Sequence, residues 1–592
     1  MQTETSVVVG VSKDNVTGGS RNRRNSRTGK RSGGVQPQKN IEKELKIIPL
    51  GGLDGIGKNM TVFEYDKDIV VIDAGFMFPD DDLPGVDLIL PDYTYLLEHA
   101  QCLRAIIITH GHEDHTGALP YLLRDLGHQV PVYSSKLTLG LIEGKLNEHN
   151  IKNQDLREIK AGEHISLGAF TCEFYSVNHS IPAALGVFLQ TPAGTVLHTG
   201  DFKLDQTPID GIHTDFAALS RFAGIGVDLM LSDSTNATKE SFTKSEAEVG
   251  KVLYQIISNA PKRVIVAAFS SHIHRMQQVC DSAVAANRKI AVTGRSMITN
   301  SQIARELGYL KVKDQHIVDA YAANDIPPGK VVILCTGSQG EPLSALARMA
   351  NGEHRTIEIE EGDTIIISAT PVPGNEKAVT RVINALSKIG AEVYDKNRAL
   401  VHISGHAASE ELKLMLTIVK PKYFMPIHGE VLHLRAHAQL AQEVGIPKKN
   451  VFMLDSGDVL LLNRHLIKKG EPVESGVIYV DGLSVGDISS VVLKDRQTLS
   501  SDGIVTVVCM IRRRDSSPVG TPEIIMRGVS EDEDQDLLRD AVAVAEKTIS
   551  KFAHEHRSNP NRLKRALREA LLNLLWERIR SRPMIIPIIM DV

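Results

Sequence analysis

Cysteine is scarce. Five residues in 592 (Cys102, Cys172, Cys280, Cys335 and Cys509) are scattered, odd in number and never spaced as CxxC. This argues against a disulfide framework and against a cysteine-held zinc site, so a metal would have to be held by His and Asp. Long apolar runs are missing as well: none comes near the ~18 residues that span a bilayer, which excludes membrane insertion. The first thirty residues are polar and basic with no apolar segment, which argues against a secretory leader and makes the cytoplasm the expected compartment. Net positive charge is the last absence. With 67 Lys plus Arg against 72 Asp plus Glu, the chain carries −5 and offers no bulk field for coating a polyanion. Any nucleic-acid contact has to be local.

What is present is an ordinary soluble composition, 42% hydrophobic and 23% charged. At roughly 100 to 200 residues per domain, the length predicts three or four domains. Residues 1–45 are rich in Ser, Asn, Gly and Arg, with six basic residues between Arg21 and Arg31, and read as a disordered basic tail. Such a tail either touches RNA or acidic partners or is solvated without a fixed partner. From Leu45 onward β-branched runs alternate with helical patterns, the signature of α/β layering. Residues 236–395 continue this rhythm as a block of their own, with RVIVAAF, KVVILCT and DTIIISA as strands. Runs ending in histidine, ALVHISGH and YFMPIH, follow over 396–470, and the composition turns linker-like over 471–490. Residues 491–592 read as a small α+β domain: strand-like IVTVVCMI and EIIM, two one-faced helices, and a closing MIIPIIM whose Pro587 favours an edge strand.

The strongest signal is His110-Gly111-His112-Glu113-Asp114-His115, placed directly after the strand pattern RAIIIT. Four potential ligands within six residues can present imidazoles and a carboxylate from one backbone turn. Further polar residues close other apolar runs: Asp73, His179, Asp201, Asp233 and His428. In α/β folds the reactive edge is where strands finish, because loops converge there while the strands fix their origin. Singly, each has a plainer reading, Asp73 and Asp233 as turn caps and His179 as a core histidine; together they point to one site. His and Asp without Cys suit Zn²⁺ or Mn²⁺. His110, His112, Asp114, His115, His179, Asp201 and His428 are too many for one tetrahedral ion. Two ions sharing a carboxylate fit, and such a pair assists hydrolysis by activating water and neutralising a phosphoryl group.

These residues resemble the metallo-β-lactamase superfamily, and Asp233, His406 and His428 resemble the additional motifs of its β-CASP nuclease branch. Within that branch the pattern is most similar to the bacterial ribonuclease J group, over about residues 45–592, through THGHEDHTGALPY, NHSIP, TGDFK, SDSTN, CTGSQGEP, HISGH and PIHGE. The resemblance implies an α/β fold: an αββα sandwich over 46–235 and 396–470, split by an inserted β-CASP domain over 236–395, with a C-terminal α+β domain over 491–592. It implies one divalent ion on His110, His112 and His179, a second on Asp114, His115 and His428, and Asp201 between them, with Zn²⁺ preferred and Mn²⁺ or Mg²⁺ possible. Asp73 would orient the cluster, and Asp114, Asp233 and His406 would be the catalytic groups. The stretch His402, Ile403, Ser404, Gly405 and His406 would form the substrate-phosphate pocket; taken alone, HISGH is also an ordinary strand-to-helix turn.

The turn Ser271, His272 and Ile273, before a helix expected near Arg275, would recognise a 5′-phosphate. The family often carries Asn where this chain has His272, and simple capping by Ser271 is the alternative. A histidine at position 428 goes, by resemblance, with RNA-processing members. The implied activity is hydrolysis of single-stranded RNA, from the 5′ end and internally, in RNA maturation and decay. The implied assembly is a homodimer or homotetramer with possible RNA-decay partners. The competing readings are a small ester or thioester hydrolase of the same superfamily and a catalytically silent RNA-binding scaffold.

Overall fold

The computed structural model describes residues 43–592 except 80–82, 342, 373–374, 483, 487–488, 515, 530–534 and 556–559; the expected basic tail lies outside it up to residue 42. Leu45, counted with the tail, opens the first strand, Leu45–Gly51.

Two sheets carry the first part of the chain. The eight-stranded sheet contains Leu45–Gly51, Met60–Tyr65, Asp68–Ile72 and Leu103–Ile107, and the six-stranded sheet contains Phe170–Ser176, Gly194–His198, Leu229–Asp233 and Tyr423–Ile427. Successive side chains on a strand point to opposite faces, so a strand buried on both sides has to be apolar throughout. Val70, Ile72, Ala105 and Ile107 meet Phe174, Val187, Leu231 and Met425 in a core between the sheets. The alternate residues Ile69, Val71, Ile106 and Ile108 pack instead on Leu119, Leu122 and Ile142 of the outer helices. On the far side, Phe188, Leu197 and Met230 pack on Leu219, Leu412 and Ala441. The result is the expected αββα sandwich.

Between Leu229–Asp233 and Tyr423–Ile427, which pair in parallel, the chain builds a third sheet. It is wholly parallel, in the spatial order Ile317–Val318, Lys289–Thr293, Val331–Cys335, Val264–Ala267, Thr364–Ile367, Glu392–Tyr394. Helices cover both of its faces through separate apolar clusters. The helix expected near Arg275 begins at Ile273, and no strand is formed over 399–406.

The span 471–490 holds more than a linker. Val477–Asp481 pairs with Leu88–Pro91 and with Ser484–Val485, because Val480 supplies a buried side chain to the same core as Leu90. The last hundred residues form a three-stranded sheet with Ile504–Ile511 at its centre and Met584–Asp591 at one edge, as Pro587 requires. Gln535–Glu555 and Pro560–Ile579 cover one face through Ala541, Ala545, Leu563, Leu567 and Leu571. Among the described residues no helix is long and apolar enough to cross a membrane.

The sandwich places the His110–His115 loop through backbone bonds from the segment after Asp68–Ile72 and from Asn59, just before Met60–Tyr65. Asp73 N donates to Ile107 O, Ala74 N to His115 O, Phe76 N to Glu113 O and Asn59 N to Asp114 O, at 2.8–3.2 Å. The approach is so close that a Cβ on Gly75 would lie 1.6 Å from the Asp114 carbonyl oxygen. Gly75→Ala is therefore expected to displace the loop and to destabilise the protein by at least the ~1–3 kcal/mol of an overpacked core site, seen as a lower apparent melting temperature of the full chain.

Candidate metal centre

Four of the ligand candidates stand just beyond the carboxyl end of a strand, and Asp114 and His115 lie on the short helix Glu113–Thr116 that follows His112. His110 follows Leu103–Ile107, His179 follows Phe170–Ser176, Asp201 follows Gly194–His198, and His428 follows Tyr423–Ile427. The backbone is unusual at two of these exits: Asp73 and His428 adopt φ of +63° and +55°, a left-handed conformation that costs a non-glycine residue energy and that functional sites tend to retain.

His110, His112 and His179 converge on one point, with Nε2 of His110 and of His179 lying 3.0 and 3.1 Å from Nδ1 of His112. Their outer nitrogens fix the tautomers. His179 Nδ1 donates to the Gly405 carbonyl at 2.8 Å, and His110 Nδ1 faces Thr109 Oγ1 at 3.0 Å, whose own hydroxyl donates to Asp73. Burial pushes all three imidazoles down, His112 to about 4, so each is neutral and turns a lone pair inward. Lone pairs turned toward one another on nitrogens about 3 Å apart repel unless a cation lies between them, and the two spacings to His112 are close to the roughly 3.3 Å edge of a tetrahedron with Zn–N bonds of ~2.05 Å. The donor set therefore fits a divalent ion.

Asp114, His115, Asp201 and His428 form the adjoining group. His115 Nδ1 donates to Asp73 Oδ2 at 2.8 Å, while its Nε2 lies 3.2 Å from Asp201 Oδ2 and 3.4 Å from Asp114 Oδ2. His428 Nε2 lies 3.2 and 3.5 Å from the same two oxygens, and both nitrogens of its buried ring lack a hydrogen-bond partner. Burial pushes His115 and His428 down, but the surrounding carboxylates outweigh it and hold both imidazoles up. Burial raises the Asp114 and Asp201 carboxyls and these imidazoles overcome it, so both acids are held below the usual range. Asp201 Oδ2 also lies 3.7 Å from His110 Nε2 and 3.9 Å from His179 Nε2, which puts one carboxylate oxygen within reach of both groups.

Asp233 and His406 complete the centre. His406 Nδ1 faces Asp233 Oδ2 at 2.8 Å, and Asp233 Oδ1 accepts from the Thr235 amide, so this acid does serve as a turn cap as well. Burial pushes His406 down, but Asp233, with Asp201 and Asp114, holds it at about 9. Gly405 is needed for close approach, since a Cβ there would lie 2.7 Å from His179 Cε1. Ser404 Oγ accepts from Asn236 Nδ2 at 2.8 Å and from the His406 amide.

Other expected substrate residues turn away from the centre. His402 is pushed down by burial to about 3, and Ile403 packs in the core of the inserted sheet. His272, not Ser271, caps the helix Ile273–Ala285 by accepting from the Arg275 amide; its ring is sealed beside Glu246, and Ile273 is fully buried. Several contributors carried no readable sequence signal. Asn59 Nδ2 lies 3.1 Å from His115 Nε2, Thr109 bridges Asp73 and His110, and Asn236 holds the 404–406 turn through Ser404 and the His406 carbonyl. Arg275, fully buried, donates to Ser368 Oγ, to the Val401 carbonyl and to Glu246, tying the inserted domain to the same turn. An exposed basic stripe would have been visible in the sequence, but a buried Arg inside an amphipathic helix was not.

Comparison with known proteins agrees with this architecture. Residues 69–266 match the beta-lactamase superfamily domain, 261–386 the ribonuclease J beta-CASP domain, 390–454 the Zn-dependent metallo-hydrolase RNA specificity domain, and 491–592 the ribonuclease J C-terminal domain. The chain is 44% identical to ribonuclease J of Mycolicibacterium smegmatis over 550 residues, covering 93% of this chain and 97% of that protein. It is 41% identical to ribonuclease J2 of Bacillus subtilis over 558 residues, covering 94% and 100%. Among solved structures, a protein of unknown function from Enterococcus faecalis V583 shares the fold, with a TM-score of 0.52 at 15% identity over 71% of this chain and all of that one. A split metallo-β-lactamase sandwich, an inserted β-CASP sheet and a matching C-terminal domain, with identity above 40% along nearly the whole length, together mean that the chain belongs to the ribonuclease J family.

Proposed function

We propose that the protein is a metal-dependent ribonuclease that hydrolyses phosphodiester bonds of single-stranded RNA, from the 5′ end and internally, in the maturation and decay of cytoplasmic RNA. The observation that carries this reading is Asp201, whose Oδ2 lies within 3.2–3.9 Å of ring nitrogens from both ligand groups. His110, His112 and His179 would hold one divalent ion, Asp114, His115 and His428 the other, and Asp201 would bridge. Zn²⁺ suits the nitrogen-rich set, with Mn²⁺ and Mg²⁺ as the alternatives. Two such ions would supply a Lewis-acid pair that activates water and neutralises charge on the phosphoryl group.

The chain's own residues do the rest. Asp73 fixes the His115 ring through Nδ1 and, through Thr109, the His110 ring. Asp233 accepts a hydrogen bond from His406 Nδ1–H and keeps the ring protonated, which leaves Nε2–H free to be given to the leaving oxygen. Ser404 and Gly405, held by Asn236, would line the phosphate position beside it. In the turn 271–273, Ser271 alone would offer a side chain to a 5′-phosphate, since His272 and Ile273 face inward. The C-terminal sheet leaves Met510, Ile525, Ile586, Ile588 and Met590 exposed on the face away from its helices, which supports association into a homodimer or homotetramer.

The primary test is incubation with Mn²⁺ or Zn²⁺ and a 5′-monophosphorylated single-stranded RNA, with products mapped and metal content measured on one sample. RNA cleavage is expected; hydrolysis of a thioester with RNA left intact would overturn the reading. His112→Ala and Asp201→Asn are each expected to lower both bound metal and cleavage at least ~100-fold, and full activity in either would remove that residue from the site. A proton donor works below its pKa, and Asp233 raises that of His406. In Asp233→Asn the alkaline limb of the kcat/KM profile should therefore move to lower pH, whereas an unmoved limb would exclude His406 as the donor.

A further inference from the structure

The inserted sheet has a second polar edge that the metal centre does not use. From Lys289–Thr293 the chain proceeds to Ile317–Val318 on one side, and from Val331–Cys335 it proceeds to Thr364–Ile367 on the other, yet these two strands are neighbours. Adjacent parallel strands whose connections leave in opposite directions open a crevice at their carboxyl ends, where open α/β sheets bind ligands. Here the crevice is about 720 Å³ and is lined by Thr293, Gly294 and Arg295 from one strand end and by Thr336 from the other. Arg348, His354 and Arg355 close it from the following segment.

Its charge is lopsided. Arg295, Arg348 and Arg355 all line it, and among the described residues none of them has a carboxylate partner; the one acid on the wall is Glu148. By contrast, Arg263, Arg275 and Arg305 of the same domain are each paired with a carboxylate. His354 is fully used in holding the wall: its Nδ1 accepts from the Thr356 and Ile357 amides, and its Nε2 faces Thr293 Oγ1 at 3.2 Å. Tyr321, 67% exposed, stands on the rim as an unpacked aromatic face. Unpaired guanidiniums beside an exposed ring are what a phosphodiester strand with stackable bases requires.

The crevice also lies on the boundary between the inserted domain and the sandwich. Glu148 ends the helix Lys136–Glu148, which packs against Arg295–Glu306 closely enough that a Cβ on Gly140 would meet Leu307 and Ile303 at 2.9 and 3.0 Å. Along the sheet edge its near wall, Val331–Cys335, is one strand and its far wall, Lys289–Thr293, two strands from the strand that leads to the turn at 271–273, roughly 5 to 10 Å by strand spacing. A strand seated at that turn can run on along the same edge. Among the described residues, no deeply buried unpartnered group in the crevice marks a fixed small-molecule contact.

We infer that the crevice of Arg295, Arg348, Arg355 and Tyr321 is a remote subsite that holds the phosphodiester backbone and a base of single-stranded RNA away from the scissile bond. This rests on the ribonuclease reading above for the identity of the strand. The subsite would make affinity depend on RNA length and on salt, and would leave the reacting atoms to the metal centre.

The test uses the full metal-loaded chain and a phosphorothioate-linked 20-mer RNA, which resists hydrolysis, beside a trinucleotide of the same linkage. Arg295 and Arg355 are exposed, so Arg295→Gln/Arg355→Gln should fold normally, and equal melting temperatures check this. The double variant is expected to weaken 20-mer binding about tenfold, more than trinucleotide binding, and to reduce the salt slope by about 1.4, at ~0.7 per lost phosphate contact. Tyr321→Ala should cost a further loss of about fivefold or more for the 20-mer through lost stacking. Unchanged affinity and slope, or equal losses for the two lengths, would overturn the subsite. Tight binding of adenosine 5′-monophosphate that the double variant abolishes, with 20-mer binding intact, would also overturn it in favour of a small nucleotide ligand. If the wild type binds the 20-mer through these residues but cleaves no RNA, the ribonuclease reading fails and the subsite stands.

Discussion

Asp73, Asp201 and Asp233 are almost sealed from water, and Asp114 stands beside them. A buried carboxylate is tolerable only when positive charge or hydrogen-bond donors meet it, because its desolvation costs several kcal/mol. Much of the surrounding architecture answers that constraint. Thr109 and His115 meet Asp73, His115 and His428 meet Asp201 and Asp114, and His406 meets Asp233. The first group of candidate ligands has the opposite character: three neutral imidazoles whose ring nitrogens converge on one point. Excess negative charge on one side and inward lone pairs on the other call for the same remedy, divalent metal bound at the strand ends.

The sandwich supplies rigidity for that arrangement, because His110, His179, Asp201 and His428 stand where buried strands come to their ends, and the short helix Glu113–Thr116 carries Asp114 and His115. The inserted domain reaches the centre through few but deeply buried contacts. Arg275 spans from the helix Ile273–Ala285 to the Val401 carbonyl, and Asn236 spans from the entry of the insert to Ser404 and His406. His406 and the Gly405 carbonyl are thus positioned from two sides. A change in the seating of the insert would be felt first at His179, whose Nδ1 proton the Gly405 carbonyl accepts.

Much of this was legible in the sequence, and the reason is local. HxHxDH directly after an apolar run, and single Asp or His residues closing other such runs, need only strand periodicity to be recognised, and all of them meet at one edge. What was not legible depends on pairing between distant segments. Val477–Asp481 looks like a linker because its strand character comes from Leu88–Pro91, far away in the chain. Asn59 and Asn236 are unremarkable polar residues until folding sets them against His115 and Ser404. Gly75 and Gly405 are required by the closeness of Asp114 and His179, which no local pattern records. His272 was read as facing a ligand, whereas helix capping and burial beside Glu246 turn its ring inward.

The net charge of −5 now has a spatial meaning. The reacting centre is acidic and would repel a phosphodiester on its own, so its attraction for RNA has to come from the cations it gathers. Cations neutralise the centre only within a short distance, since exposed charges are screened over about 8 Å at physiological ionic strength. Attraction for the rest of a strand must come from side chains elsewhere, and the arginines lacking acidic partners at the switch point of the inserted sheet are placed to provide it. A whole-chain charge of −5 and local polarity are therefore compatible: acids concentrate where cations are needed, and guanidiniums without a carboxylate partner among the described residues concentrate where a backbone would run.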